Sequence, residues 1–281
     1  MKYLILLING TITVLQISCN SEQLGFAEHG DFMNYDELNF SDIEQKYQST
    51  EKLISQMAQG KLRSLIVNGP PGVGKTHSVE NYLKKYAGSN FKMITGQMTP
   101  FSLYGHLYKH NQEGKILVLD DIDSVFSKLE GVNILKAAMD TKKVRNISWA
   151  STTHYLDASG LPGSFDYLGG IILISNIGFD AGKTKIGAHL NALKDRSFSI
   201  SISDRTNESL FKQVCYMVLK RDLLQQFNFS DSQKADLLKY MEDNLSAMYT
   251  VSLRVAFKLA MLIQDDPHDW KSLADDGLIK N

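Results

Sequence analysis

The sequence is poor in cysteine and proline, and its charges nearly cancel. Its two cysteines, Cys19 and Cys215, are far apart and have no CxxC spacing, so neither a disulfide framework nor a zinc site is indicated. Thirty basic and 31 acidic side chains leave a net charge of −1, which argues against a generally basic nucleic-acid coat, although a local patch could contact DNA. No segment is long and apolar enough to span a bilayer. We therefore expect a cytoplasmic protein that does not enter a membrane.

The first 19 residues, MKYLILLINGTITVLQISC, combine one lysine, an apolar run and a cysteine, as a secretory signal peptide does. Polar Asn9, Thr11, Thr13 and Gln16 interrupt the apolar run, which makes it a poor core for secretion. Two strand-like segments flank Asn9 and Gly10, a dipeptide that favours the tight turn of a β-hairpin. The segment is therefore predicted to be an N-terminal β-hairpin.

The middle of the chain alternates apolar strand-like runs with segments of helical periodicity. Six strands are predicted there, with the sequences RSLIVNG, FKMIT, KILVLDD, NISWAST, GGIILISN and FSISIS. Strands that alternate with helices predict a parallel sheet covered on both faces. From Thr206 onwards the chain has only helical patterns. We therefore predict a hairpin and linker at residues 1–40, an αβα core at residues 41–204 and a small helical lid at residues 205–281.

The stretch GPPGVGKT follows the first core strand and opens a helix, and it fits the P-loop pattern G-x-x-x-x-G-K-[ST] at every position. Glycines let the backbone wrap closely around phosphate oxygens, and the N–H groups at the start of the helix favour an anion. Lysine supplies a point charge for the β- and γ-phosphates, and the threonine hydroxyl can bind Mg²⁺. The residues predicted to bind ATP are Gly69, Pro70, Pro71, Gly72, Val73, Gly74, Lys75, Thr76 and His77.

A second motif, ILVLDDID, is an apolar strand that ends in carboxylates. A buried strand delivers its last side chains to the sheet edge where ligands of open α/β folds bind. Asp120 is predicted to hold Mg²⁺ together with Thr76, and Asp121 to orient or polarise the attacking water.

The order of these motifs resembles the AAA+ family of ATPases, including single-domain members encoded by phages. GPPGVGKT, ILVLDDID, IILISN, ALKDRSF and VSLRVA follow one another as they do in that family, over residues 45–270. The resemblance implies a P-loop α/β core with a helical lid, and an oligomer that binds and hydrolyses Mg-ATP at subunit interfaces. It also implies a homo-oligomeric ring that remodels or loads a protein or nucleic-acid client, with DNA metabolism as one setting.

The resemblance assigns roles to three further residues. Asn176, at the end of IILISN, matches the polar sensor between the acidic residues and the γ-phosphate. Arg196, just before the last strand, matches the arginine finger that reaches the ATP of a neighbouring subunit, with Arg205 just after that strand as the alternative. Arg254 in the helical tail matches the lid arginine that touches the nucleotide.

One departure from the family leaves the activity open. Many members have glutamate where this chain has Asp121, and the shorter side chain places its carboxylate farther from the water. Some members of the family also carry two aspartates here. The shorter side chain is compatible with slow or gated hydrolysis, so an ATP-gated scaffold with little turnover is a second hypothesis. A P-loop kinase of small molecules is a third, although such kinases usually carry a mobile lid inserted within the core, whereas here the helical segment follows it.

Overall fold

A computed structural model describes residues 2–8, 11–17, 35, 38–149, 156, 158–177 and 185–280. The chain forms two compact units, Met1–Tyr35 and Asp36–Asn281. Between residues 20 and 40, the predicted linker lies outside the described residues except for residue 35 and residues 38–40. The further division of the second unit into a core and a lid near residue 204 stays a prediction.

The first unit contains the predicted β-hairpin. Strands β1 (Lys2–Ile8) and β2 (Thr11–Ile17) pair antiparallel in a register that sets Lys2 opposite Ile17 and Ile8 opposite Thr11. The turn at Asn9 and Gly10 lies outside the described residues. Hairpin pairing at these two strands is therefore confirmed.

The second unit is an αβα arrangement around a five-stranded parallel sheet, which confirms the predicted fold class. Its strands are β3 (Ser64–Asn68), β4 (Phe91–Thr95), β5 (Ile116–Asp120), β8 (Gly170–Ser175) and β9 (Phe198–Ser201). Their order in the sheet is β4–β5–β8–β3–β9. Every residue of β3, β5 and β8 is buried, as expected for central strands with helices on both faces.

Helices connect the sheet strands and continue to the end of the described chain. Those within the sheet region are α1 (Ser41–Ala58), α2 (Lys75–Ala87), α3 (Pro100–Lys109), α4 (Leu129–Ala138) and α5 (Lys185–Lys194). Those after the last strand are α6 (Asn207–Leu219), α7 (Asp231–Asp243), α8 (Leu253–Asp265) and α9 (Trp270–Leu278). Among the described residues, no helix has the length and hydropathy needed to cross a bilayer.

The first three residues of the segment NISWAST belong to a strand, but that strand does not join the parallel sheet. Strand β6 (Arg145–Ser148) pairs antiparallel with β7 (Ser164–Tyr167) as a separate two-stranded ribbon. Burial alternates along both strands, as is typical of antiparallel strands with one covered face. Strand β7 is short and polar, and the sequence pattern did not predict it.

A buried arginine ties this ribbon to the sheet region. Arg145 is 2% exposed, and its guanidinium donates to the carbonyl oxygens of Ala138 at 2.7 Å, Tyr167 at 3.3 Å and Gly169. The same group lies 4.8 Å from the centre of the Tyr167 ring. Burial lowers its pKa to about 10. Arg145 thus joins the end of α4, the end of β7 and the turn that leads into β8.

We expect Arg145→Met to lower the free energy of unfolding by about 2–4 kcal/mol, because three buried carbonyl groups lose their donor. The matched control is Lys143→Ala, which removes a largely exposed cation that pairs with Glu113 at 3.3 Å and contributes roughly 0–1 kcal/mol. Urea denaturation followed by circular dichroism measures both. Equal stability of the two variants would show that Arg145 does not hold the ribbon in place.

Candidate nucleotide-binding site

Glycines shape the turn from β3 into α2. Their backbone has positive φ, a conformation that other residues adopt only with strain. Gly72 has φ of +74° and Gly74, which precedes α2, has φ of +85°. A Cβ atom at Gly72 would lie 2.6 Å from the Cβ of Ser252, so the close approach of the helical segment also requires glycine. The backbone N–H groups at the start of α2 are therefore presented as in a phosphate-binding loop.

Lys75 is the first residue of α2, and its ammonium group lies within the turn. Although only 5% of the residue is exposed, Nζ donates to the carbonyl oxygens of Gly69 at 2.9 Å and Pro70 at 2.7 Å. A third hydrogen bond, of 2.7 Å, goes to Oδ1 of Asn176. Burial lowers the pKa of Lys75 to about 8, against the opposing effect of the charges on Asp121 and Asp120.

The two acidic residues lie beside this lysine at the carboxyl end of β5. Thr76 Oγ1 donates to Oδ2 of Asp120 at 2.9 Å. Burial raises the pKa of the Asp120 carboxyl; Asp121 adds to that rise, while Thr76 and Lys75 oppose it. A hydroxyl and a carboxylate in contact are hard oxygen ligands of the kind that Mg²⁺ takes, so these two residues fit a magnesium site.

Asp121 has a left-handed backbone with φ of +52°, and its exposed side chain accepts a hydrogen bond from Nδ2 of Asn176. Asn176 follows β8, the strand between β5 and β3 in the sheet. One amide group therefore bridges Lys75 and Asp121, through its oxygen and its nitrogen respectively. The sheet order alone brings these residues of three different strands and their following turns together.

A cavity of about 570 Å³ opens over these groups. Its lining includes the predicted residues Gly72, Gly74, Lys75, Thr76, His77, Asp120, Asp121, Asn176 and Arg254. Pro70 contributes its carbonyl oxygen to Lys75, and Pro71 is exposed at the outer side of the turn. Arg254 is exposed and enters the lining as the second residue of α8.

The predicted finger Arg196 lies elsewhere in the chain. It precedes β9, so it is at the edge of the sheet opposite the carboxyl ends, and its Nη1 donates to the carbonyl oxygen of Ala192 at 2.6 Å. There it lines a groove of about 340 Å³ together with Lys61, Arg63 and Phe198. The structure does not bring Arg196 to the cavity of its own chain.

Several residues of the site were not predicted from sequence. Tyr47 of α1 donates to the carbonyl oxygen of Val73 at 3.1 Å and accepts from Nε2 of Gln213 at 2.6 Å. Leu253 N donates to the carbonyl oxygen of Gly72 at 2.8 Å. Helices on both sides of the P-loop thus hold its backbone, and burial raises the pKa of the Tyr47 hydroxyl.

The cavity is also lined by residues from the helical segment to which the sequence assigned no role. They are Met217, Arg221, Asp222, Leu223, Gln225, Gln226, Leu253 and Phe257. They come from α6, from α8 and from the segment between α6 and α7, and they are of mixed polarity, so no single sequence pattern marks them. Of the helical segment, only Arg254 was predicted, and the signal for it was the family resemblance.

Comparisons with known proteins agree with this geometry. Residues 65–162 match the sequence model of the ATPase family associated with various cellular activities (AAA). A protein of Enterobacteria phage T4, described as an uncharacterized 36.7 kDa protein in the nrdC-mobD intergenic region, is 30% identical over 259 residues. That alignment covers 86% of this chain and 79% of the phage protein.

Solved structures show a similar fold at low identity. A point mutant of RuvB from Thermotoga maritima has a TM-score of 0.52 at 13% identity, over 82% of this chain and 64% of the RuvB chain. NtrX from Brucella abortus in complex with ATP has a TM-score of 0.50 at 14% identity, over 82% of this chain and 53% of the NtrX chain. This chain therefore spans less than two thirds of either protein, and the likeness concerns the fold alone.

We expect Gly72→Ala to abolish nucleotide binding and to lower stability, because the new methyl group meets Ser252. The matched control is Gly60→Ala, whose φ of +69° carries the same left-handed strain but whose Cβ would have no atom within 4 Å. Each variant loses about 1–2 kcal/mol from that strain, and the clash at Gly72 adds about 1–3 kcal/mol. Urea denaturation and titration with a fluorescent ATP analogue measure both effects. Normal binding in Gly72→Ala would refute the close contact.

Proposed function

This chain belongs to the AAA family of ATPases, and from that premise we propose that it hydrolyses Mg-ATP at the interface between copies of itself. One observation carries the proposal: Lys75 and Asp121 are joined by the amide of Asn176, next to the Thr76–Asp120 pair, at one cavity. A phosphate-binding cation, a metal-binding pair, a carboxylate and a polar sensor are the groups that phosphoryl transfer to water requires.

The triphosphate is proposed to bind along the turn from Gly69 to Thr76. Its β- and γ-oxygens would accept from backbone N–H groups at the start of α2 and from Lys75, which would exchange its bonds to Gly69 and Pro70 for bonds to phosphate. Thr76 and Asp120 would hold Mg²⁺, directly or through water. When bound, this ion neutralises phosphate charge that develops during transfer. Arg254 would contact the nucleotide from α8.

Asp121 is proposed to orient the attacking water and to polarise it as a general base. Its side chain is exposed at the cavity, and Asn176 holds it close to Lys75. Asn176 would then lie between the carboxylate and the γ-phosphate, where its amide can report whether that phosphate is present. This arrangement lets one side chain link phosphate binding to the position of the base.

The cavity of one chain lacks the predicted finger, and this supports a role for Arg196 between subunits. Because Arg196 lies at the opposite edge of the sheet, it could serve only the nucleotide of another copy. A cation delivered in this way is worth about 10³–10⁵ in rate in comparable enzymes. We therefore propose a homo-oligomer, with a ring as the arrangement in which every site receives an arginine.

The partner is proposed to be a macromolecule that ATP turnover remodels or loads. A protein and a nucleic acid both fit an ATPase of this family as the partner, and a place in DNA metabolism is proposed by analogy at the level of the fold only. The net charge of −1 gives no general affinity for phosphate backbones, so a nucleic-acid client would need a local basic surface.

The short side chain of Asp121 and its hydrogen bond from Asn176 favour a second function, that of an ATP-gated scaffold with little turnover. This carboxylate is one methylene shorter than glutamate and is held by Asn176 with a left-handed backbone. Such a protein would assemble on ATP and release on slow hydrolysis. Turnover that stays flat as protein concentration rises, with ATP still bound, would favour the scaffold over the motor.

We expect Lys75→Ala to abolish ATP binding, because the cavity loses a buried ammonium group that faces the phosphates. Lys84→Ala is the matched control, since Lys84 lies on the same helix but is 60% exposed and pairs with Glu80 at 2.7 Å. Isothermal titration with a non-hydrolysable ATP analogue and Mg²⁺ measures both affinities. Unchanged affinity in Lys75→Ala would remove the P-loop from the mechanism.

We expect Arg196→Ala to bind ATP normally and to lose turnover by about 10³-fold or more. Co-expression of Arg196→Ala with Asp121→Asn should restore part of the activity, because one subunit supplies the arginine and the other the complete carboxylate site. Lys61→Ala, from the same groove as Arg196, is the control and should hydrolyse normally. Full activity of Arg196→Ala alone would exclude it as the finger.

A further inference from the structure

Arg205 lies in the short connection between β9 and α6, and hydrogen bonds fix the backbone before and after it. Before it, Ile202 N donates to the carbonyl oxygen of Asn68 at 2.9 Å, which extends the pairing of β9 with β3. After it, Thr206 caps α6 by accepting from Ser209 N at 3.2 Å. The position of Arg205 is therefore set by both parts of the unit.

The side chain of Arg205 holds the backbone of the sensor residue. Nη2 of Arg205 donates to the carbonyl oxygen of Asn176 at 2.6 Å. On the other side, Nδ2 of Asn68 donates to the carbonyl oxygen of Ile177. Two consecutive carbonyl groups after β8 are thus bound by side chains, one from the last residue of β3 and one from the segment that follows β9. A hydrogen bond from a guanidinium is shorter and stronger than one between neutral groups.

From this geometry we propose that Arg205 is a positioning residue of the nucleotide site in its own chain, acting through Asn176. The inference rests on the proposed function of that site. The amide of Asn176 contacts both Lys75 and Asp121, so a shift of its backbone would move both contacts. Because only the capping residue Thr206 lies between Arg205 and α6, a displacement of the start of this helix would be passed to Asn176 through the hydrogen bond from Arg205.

The contact with Asn176 separates Arg205 from Arg196. The guanidinium of Arg205 reaches a residue that lines the cavity, whereas the guanidinium of Arg196 donates to the carbonyl oxygen of Ala192 at the other edge of the sheet.

The effect of removing Arg205 should depend on the γ-phosphate. Arg205 acts through Asn176, and Asn176 is proposed to lie next to that phosphate. We expect Arg205→Ala to weaken the Kd for a non-hydrolysable ATP analogue about 10-fold and to leave the Kd for ADP within about 2-fold. A residue that only supported the fold would weaken both nucleotides alike. Lys212→Ala is the matched control: this cation lies on α6 too, and it ties that helix to Asp42 at 2.9 Å, away from Asn176.

A double-mutant cycle tests whether Arg205 acts through Asn176. The Kd values for the ATP analogue and ADP are measured for wild type, Arg205→Ala, Asn176→Ala and the double variant, with thermal melting as a check on folding. We expect the double variant to bind the ATP analogue no more weakly than Asn176→Ala. A double variant whose loss of affinity is the product of the two single losses, about 100-fold, would overturn the proposal. Equal losses for both nucleotides in Arg205→Ala, or no loss in that variant, would overturn it too.

Co-expression of two variants decides whether Arg205 serves the nucleotide site of its own chain or the site of a neighbouring subunit. If Arg205 serves its own site, Arg205→Ala combined with Arg196→Ala should recover turnover, whereas Arg205→Ala combined with Asp121→Asn should not. The opposite pattern would overturn the proposal and make Arg205 the finger. A wild-type protein without turnover would contradict the proposed hydrolysis, while the binding cycle would still test the link between Arg205 and Asn176.

Discussion

The site depends on how one buried ammonium group is satisfied. Lys75 lies inside the P-loop with three oxygen acceptors, two from the turn itself and one from Asn176. A buried cation is stable only when it is well paired, so these contacts fix the turn, the lysine and Asn176 at the end of β8 relative to one another. Through the same asparagine the arrangement extends to Asp121. Phosphate binding would replace part of this network, so one ligand could change the surroundings of Asp121, the carboxylate proposed to act as the base.

The helical segment completes the site by holding the P-loop from outside. Ser252 and Leu253 approach Gly72 so closely that only glycine fits there, and the Tyr47–Gln213 pair holds the carbonyl of Val73. Arg205 adds a third connection, at Asn176. The cavity therefore has one wall from the sheet edge and another from helices that follow it in sequence. A nucleotide bound between them would couple the helices to the phosphate end.

The sequence sufficed for the parts of the structure that follow from local patterns. The P-loop, the strand ending at Asp120 and the N-terminal hairpin each have a spacing that physical chemistry explains, and the alternation of strands and helices predicts the parallel sheet. It did not reveal Tyr47 or Gln213, because their contacts join parts of the chain that are far apart in sequence. It also missed β7, and with it the ribbon that Arg145 holds, since four residues of mixed polarity carry no strand signal. The bridge from Lys75 to Asp121 required the sheet order, which no local pattern specifies.

The proposed nucleotide site is tested most directly by a crystal structure of the assembled protein with Mg²⁺ and a non-hydrolysable ATP analogue. We expect the β- and γ-phosphates on the backbone N–H groups between Gly72 and Thr76, with Nζ of Lys75 in contact and Arg196 from another copy close to the γ-phosphate. A nucleotide bound elsewhere, or a P-loop with Lys75 still held by Gly69 and Pro70 beside bound phosphates, would contradict it.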